Sequence, residues 1–153
     1  MQSNLASTYR SLGLIEKALS MRREIYAKRL ELSGEEDKDT IREALCYAHA
    51  LVASCRYNDT KALMRKCVPV ARRALGNSHE FTLRMRSNYA EALYRANGAT
   101  LDDLREAVET LEETDRTARR VFGGVHPIAK EIEGKLRDAL AALRARETPS
   151  TSN

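Results

Sequence analysis

The sequence has few of the residues that break helices and few aromatic residues. Among 153 residues there are 3 prolines and 7 glycines, and aromatic residues make up 5% with no tryptophan. Few breakers together with many Ala, Leu, Arg and Glu residues favour an all-helical fold. The scarcity of aromatic side chains argues against a surface on which nucleobases stack.

Cysteines and long apolar runs are also scarce. Three cysteines, Cys46, Cys55 and Cys67, stand nine and twelve positions apart, which is neither CxxC spacing nor an even count. This pattern predicts reduced thiols in a cytoplasmic protein, and neither a disulfide framework nor a zinc site. No apolar run approaches the ~20 residues of a membrane-spanning helix. Residues 1–10 lack the features of a signal peptide.

The net charge of +4 is unevenly distributed. Residues 1–40 carry seven basic and seven acidic side chains, residues 41–98 carry ten and four, and residues 99–153 carry nine and eleven. The excess of positive charge therefore lies in the middle of the chain. Solvated helix faces would account for it, and so would a surface that attracts an acidic peptide or another polyanion.

The chain repeats itself with a period of about 42 residues. A shift of 42 aligns Ala6 with Ala48 and Ala90, and a shift of 84 places "NLASTYRSLG" (4–13) on "NYAEALYRANG" (88–98). The end of the unit recurs as "LGNSHEFT" (75–82) and "FGGVHPIA" (122–129), 47 residues apart because the third unit contains an insertion around Asn97. Such a period predicts a stack of similar helical units.

Each unit is predicted to contain two helices. In the second unit Ala44, Ala48 and Leu51 recur at helical spacing and define a buried face. A break follows near Asn58 and Asp59, which are good cap residues for the next helix. The units are expected at about 1–36, 37–78 and 79–125, each with two helices. In the first unit one helix is predicted to end near Gly13 and another to run from about 15 to 32. In the third the helices are expected at about 79–96 and 101–122.

A last helix is expected at about 126–146, starting at Pro127, which suits a first helical position. Its apolar stripe and charged opposite face are typical of the terminal cap of a helical stack. Residues 147–153 are polar and predicted to be disordered. At the other end, the repeat period places the start of the first helix before residue 1, so we expect a piece of a longer array.

These motifs resemble the tetratricopeptide repeat, in the roughly 42-residue variety of kinesin light chains. The matching residues are Asn4-Leu5-Ala6, Tyr9, Gly13 and Glu16-Lys17-Ala18-Leu19, followed by the closing motifs at 75–82 and 122–129. The resemblance covers about residues 2–145. It implies a right-handed α-solenoid of about three antiparallel helix pairs plus a C-terminal capping helix.

The resemblance also implies a peptide-binding groove on the concave side, lined by the first helix of each pair. The Asn of the N-L-A motif often holds ligand backbone in this family, and Asn4 and Asn88 match it, whereas Cys46 replaces it in the second unit. Arg42 and Arg84 lie one turn before that position and could bind carboxylates through paired hydrogen bonds. The predicted groove residues are Asn4, Arg42, Cys46, His49, Arg84, Asn88, Glu91 and Arg95.

Two other patterns could suggest chemistry. His79 and His126 occupy equivalent positions one unit apart, too far for two ligands of one metal ion at ~2 Å, and so are interpreted as helix-entry residues. Cys46 and His49 lie on one helical face, but no orienting carboxylate or oxyanion pocket accompanies them. We therefore predict no enzyme activity, no metal site and no cofactor.

The sequence predicts a protein–protein interaction scaffold that binds an extended, acidic peptide or a partner helix in its concave groove. The alternative is a segment of a longer repeat array, with a structural or self-association role. Nucleic-acid binding through the basic middle is a third possibility, opposed by the acidic third unit and the scarcity of aromatics. The sequence does not identify the partner, a motor complex or the oligomeric state.

Overall fold

The structure, a computed structural model, describes the backbone of residues 2–148 and the side chains of residues 11–148. Within these residues it consists of helices without any strand. The helices are α1 (Gln2–Ser33), α2 (Lys38–Ala53), α3 (Tyr57–Leu75), α4 (Glu80–Arg95), α5 (Leu101–Phe122) and α6 (Pro127–Glu147). The prediction of an all-α fold is confirmed, and α4, α5 and α6 lie within about a residue of their expected bounds.

The helices form a layered stack. Each helix contacts the next one in the chain, and in addition α2 contacts α4 and α4 contacts α6. No backbone contact joins α3 to α5 or α1 to α3 in the described part of the chain. Because α2, α4 and α6 stand closer together than the helices behind them, they form the inner face of the stack. In a solenoid each layer contacts only the layers next to it, and this stack has that arrangement.

Two apolar clusters fill the spaces between the layers. The first joins α2 and α3 to the next layer through Ala48, Met64 and Met85. The second joins α4 and α5 to α6, with Leu93, Leu111 and Ile132 at its centre. The predicted buried face of α2 is confirmed, because Ala44, Ala48 and Leu51 are all buried.

Helices α4 and α6, each the first helix of a layer, are preceded by equivalent histidines. His79 caps α4, its Nδ1 accepting a hydrogen bond from the backbone N–H of Phe81 at 3.0 Å. His126 caps α6 in the same way, accepting from the N–H of Ile128 at 3.2 Å. Each cap satisfies a donor that the first helical turn leaves free. Both histidines therefore have the structural role of helix-entry residues.

Positive backbone φ angles occur at glycines that end helices and at one cysteine. Gly76 and Gly123 end α3 and α5 with φ of 93° and 88°, values that residues with a Cβ atom rarely adopt. Cys55 adopts φ 57° in the turn between α2 and α3, at the position that the 42-residue period aligns with Gly13. A backbone conformation normally given to Gly is thus imposed on a residue with a Cβ atom.

The first unit differs from its prediction. A break near Gly13 is wrong, because α1 runs through it as one helix of 32 residues. A single Gly costs a helix about 1 kcal/mol relative to Ala and does not by itself end it. Along α1 only Leu19 is fully buried among the described side chains, while Tyr26 and Leu30 are half-buried.

The start of α3 is also displaced from its prediction. Asn58 and Asp59 were expected as caps, but both lie in the first turn, and the helix is preceded by Arg56, which makes no side-chain cap bond. Instead Thr60 Oγ1 donates to the carbonyl of Arg56 at 2.9 Å. Residues 149–153, within the tail predicted to be disordered, lie outside the described residues.

We predict that His79→Ala and His126→Ala each lower the free energy of unfolding by about 1 kcal/mol, as expected for the loss of a helix N-cap. The two losses should add, because the residues cap different layers. Chemical denaturation followed by circular dichroism measures both. His79→Asn, which preserves a capping side chain, should retain wild-type stability; equal losses for Asn and Ala would contradict a capping role.

Candidate functional site

The candidate site lies on the inner face, where α4 presents one stripe of polar side chains between α2 and α6. Arg84, Asn88, Glu91 and Arg95 recur at steps of four, three and four residues, which places them on one side of a helix. All four belong to the predicted groove. All four contact side chains of α6, which begins the next layer.

A buried polar cluster forms the centre of this stripe. Glu91 is 7% exposed and Asn88 only 1%. Lys135 of α6 binds both, with its Nζ 3.0 Å from Glu91 Oε2 and 3.4 Å from Asn88 Oδ1. The Nδ2 group of Asn88 is buried without a hydrogen-bond partner among the described residues. A buried amide donor in this state costs free energy until an acceptor reaches it.

Arginines lie on both sides of the buried cluster. Arg84 pairs with Glu80 of its own helix at 3.0 Å and with Glu131 of α6 at 3.1 Å. At the other end, Arg95 pairs with Glu91 at 3.4 Å and approaches Asp138 of α6 at 3.9 Å. Each guanidinium group on this stripe thus already has carboxylate partners.

Helix α2, in the layer before α4, contributes a more exposed part of the inner face. His49 lies near α4 and α6, and desolvation is the main cause that lowers its pKa, followed by repulsion from Lys135. Cys46 is half-buried. Arg42 is half-exposed and pairs with Asp39 at 3.1 Å and, at 3.9 Å, with Glu43, both on α2. Asn4, also predicted in the groove, lies outside the residues whose side chains are described.

Sequence reasoning missed the contribution of α6. Lys135, Glu131 and Asp138 complete the site, and each lies 47 residues after a residue of the α4 stripe: Asn88, Arg84 and Glu91 in that order. The same interval separates His79 from His126. Extending the repeat into the cap helix would therefore have found these residues.

Neither a metal-binding group nor a membrane-spanning helix is found among the described residues. Across the part of the chain that is described, no three His, Cys, Asp or Glu side chains form a group that could hold a metal ion. Cys46, Cys55 and Cys67 are all free thiols. None of the described helices is long and apolar enough to span a membrane.

Comparison with solved structures gives the class of fold. Two crystal structures of nearly identical TPR-like repeats, from a Podosopora anserina protein assigned to the kinesin light chains, resemble this chain. One, a single-substitution variant, has a TM-score of 0.68 at 20% identity over 94% of this chain and 65% of that one. The other has a TM-score of 0.65 at 21% identity, over 96% and 75%.

The chain has a TPR-like repeat fold. The predicted resemblance to kinesin light chain-like repeats is confirmed at the level of structure. The chain spans about 65% of the length of the first of these proteins. No protein-family model and no curated protein matches the sequence.

We predict that His49 titrates below its ordinary pKa of 6.5, because neighbouring helices desolvate it and Lys135 and Arg84 repel its proton more than Glu131 and Glu91 attract it. Folding then releases a proton, so the stability contributed by neutral His49 is full above pH 6.5 and is lost as the pH falls through the lower folded value. Proton NMR titration measures this pKa, with the signal assigned by its loss in His49→Gln.

Lys135→Met supplies the control for this titration. Removing the ammonium group should raise the pKa of His49 towards 6.5, since one source of repulsion is lost. A pKa of His49 at or above 6.5 in the wild-type protein, or one that Lys135→Met leaves unchanged, would contradict the described placement of Lys135 near His49.

Proposed function

We propose that this protein is a non-enzymatic interaction scaffold that binds an extended peptide or a partner helix along the inner face of α2, α4 and α6. The observation that carries the proposal is the Nδ2 group of Asn88, which is buried without a hydrogen-bond partner among the described residues, in the centre of the polar stripe of α4. The TPR-like fold supports an interaction role, because stacked helical repeats offer long continuous surfaces.

The amide of Asn88 suits the backbone of an extended ligand. An Asn side chain both donates and accepts hydrogen bonds, as a peptide group does. Its Oδ1 already accepts from Lys135, and its Nδ2 still needs an acceptor. A ligand carbonyl that entered beside the Lys135 side chain, with the ion pair between Lys135 and Glu91 kept, would supply it. The free energy gained there would come from pairing a donor that the unbound protein leaves unsatisfied.

The proposed preference for acidic ligands rests on the arginines at the edges of the stripe. Arg42 and Arg95 keep about half of their side-chain surface exposed, and Arg84 about a quarter. The partners of Arg84, Glu80 and Glu131, are also solvent-accessible, and so is Asp39, the partner of Arg42. Exposed ion pairs contribute little, so ligand carboxylates can replace the resident ones at small cost. Cytoplasmic residence is part of the same proposal and rests on the free thiols.

We predict that an acidic peptide of alternating Glu and apolar residues binds more tightly than its Lys-containing counterpart, and that added salt weakens it. Arg42→Glu combined with Arg84→Glu should weaken binding at least about tenfold, since two attractions become repulsions. Fluorescence anisotropy with labelled peptides measures both effects.

The control is a charge reversal of equal size away from the inner stripe. Lys130→Glu with Arg137→Glu alters two exposed side chains of α6 that have no described ion-pair partner. This variant should bind the acidic peptide within about twofold of wild type. Circular dichroism checks that both variants fold. Undiminished binding by Arg42→Glu/Arg84→Glu at low salt would eliminate the proposed arginine contacts.

A second candidate function, stacking on further repeats or on another copy, is favoured by the outer face of α1. Leu14, Met21, Ile25 and Leu32 follow at steps of seven, four and seven, which places them on one side of the helix. That side points away from α2, and the four side chains are between 39% and 81% exposed. An apolar stripe of this length is typical of an interaction surface.

We predict that the protein self-associates through this stripe as its concentration rises. Leu14→Lys with Met21→Lys should shift the molar mass in light scattering towards the monomer, because burying two ammonium groups at an interface is costly. Ser20→Lys with Ala27→Lys adds the same charges on another side of α1 and should leave the mass unchanged. Monomeric wild-type protein at millimolar concentration would eliminate self-association.

A further inference from the structure

A cleft on the outer side of the stack is separate from the inner stripe. It opens between the C-terminal halves of α3 and α5, which do not contact each other, and it has a volume of about 820 Å³. The side chains that line it are almost all polar or charged. They are Arg72, Arg73, Asn77, Arg86, Glu113, Arg116, Thr117 and Arg120. Five arginines thus surround one carboxylate.

Helix ends explain part of this cluster. Arg72 and Arg73 lie in the last turn of α3, and Arg120 in the last turn of α5, where basic side chains interact favourably with the helix dipole. Arg116 precedes Arg120 by one turn, on the same face of α5. The dipole acts within the last turn of a helix, so it does not account for Arg116 or Arg86.

Arg86 is the unusual member, because it comes from the middle of α4 and is only 4% exposed. Its guanidinium donates to Glu113 Oε2 at 2.7 Å. Burial lowers its pKa, Glu113 opposes that effect, and Arg72 adds repulsion. A buried guanidinium held by one mostly exposed carboxylate places a fixed positive charge at the floor of the cleft.

The charges of this cleft are not balanced by the protein. Arg73 reaches Glu35 and Glu36 only at 3.5 and 3.4 Å, on an exposed surface. Within residues 11–148, no carboxylate forms an ion pair with Arg72, Arg116 or Arg120. The inner stripe differs, because each of its arginines has a carboxylate partner. The outer cleft therefore brings together arginines that the described carboxylates leave without an ion pair.

We infer that this cleft binds a compact, multivalent phosphate ligand. Guanidinium groups bind phosphate oxygens through paired, charge-assisted hydrogen bonds, and several of them converge here. The cleft has the size of a small-molecule site. Its lining includes no aromatic side chain to stack a base and no large apolar side chain to hold a peptide residue. Phosphate groups on a small carrier fit this chemistry better than a nucleotide or an acidic peptide.

Isothermal titration calorimetry with inorganic tripolyphosphate and with inositol hexakisphosphate tests the inference. We expect saturable binding with one site per chain, weakened by added salt because the contacts are ionic. Preference for one of the two distinguishes a linear from a cyclic carrier, and either supports the site. Tight binding of phosphate-free polyglutamate, with no binding of either phosphate, would overturn the inference in favour of an acidic protein partner.

Arg116→Gln with Arg120→Gln is the informative variant, because both side chains are exposed and their loss should not unfold the helix. We expect binding of tripolyphosphate to weaken at least about tenfold. Lys130→Gln with Arg137→Gln removes two charges from α6, away from the cleft, and should change affinity less than about twofold. Equal weakening by the two variants would mean that only net charge matters, and would overturn the site.

Glu113→Gln should change the affinity for phosphate in the opposite direction. Removing the one carboxylate of the cleft leaves Arg86 free to bind phosphate, so the affinity for tripolyphosphate should rise. A purely structural cluster would show lower stability with no gain in affinity, and that result would contradict the inference. Arg42→Glu/Arg84→Glu should bind phosphate as wild type does, which keeps this test independent of the inner-face proposal.

Discussion

The burial of α4 on two sides is the constraint on which the rest of the structure depends. Met85 joins the apolar cluster with α2 and α3, while Leu83, Ala90 and Leu93 join the cluster with α5 and α6. A helix between two layers must bury side chains around most of its circumference. Polar residues on it therefore have little access to water and need partners on neighbouring helices.

Both candidate sites follow from this constraint. Arg86 and Glu91 are buried charges on α4, and each is matched by a charge from a later helix, Glu113 for the first and Lys135 for the second. Breaking such a pair by removing one partner leaves an uncompensated buried charge, which is strongly destabilising. The polar residues of α4 thus fix how α5 and α6 pack, and the same residues form the floor of the outer cleft and the centre of the inner stripe.

Much of the fold could be predicted from the sequence, because layer boundaries depend on local chemistry. His79, Gly76 and Gly123 act within one turn of their own positions, so the repeat reveals them directly. The break at Gly13 failed because one Gly tolerates a helical conformation, and packing against a neighbouring helix decides whether the chain turns. The stripe on α4 was predictable from helical spacing. Its neutralisation by α6 could have been found by extending the repeat into the last helix, whereas the cleft between α3 and α5 could not, since it depends on how the layers pack.

The repeat also explains why the two faces differ in charge. On the inner face, a step of 47 residues replaces Arg84 by Glu131, and the Lys135 that replaces Asn88 pairs with Glu91, so opposite charges of successive layers meet and cancel. At the outer cleft the same step takes Arg73 to Arg120, so like charges lie on either side of the gap. On the inner face this leaves only the partly exposed arginines at the edges of the stripe to attract anions, whereas repetition concentrates a positive field at the cleft. The excess of basic residues in the middle of the sequence therefore could not show on which face of the stack the unpaired arginines lie.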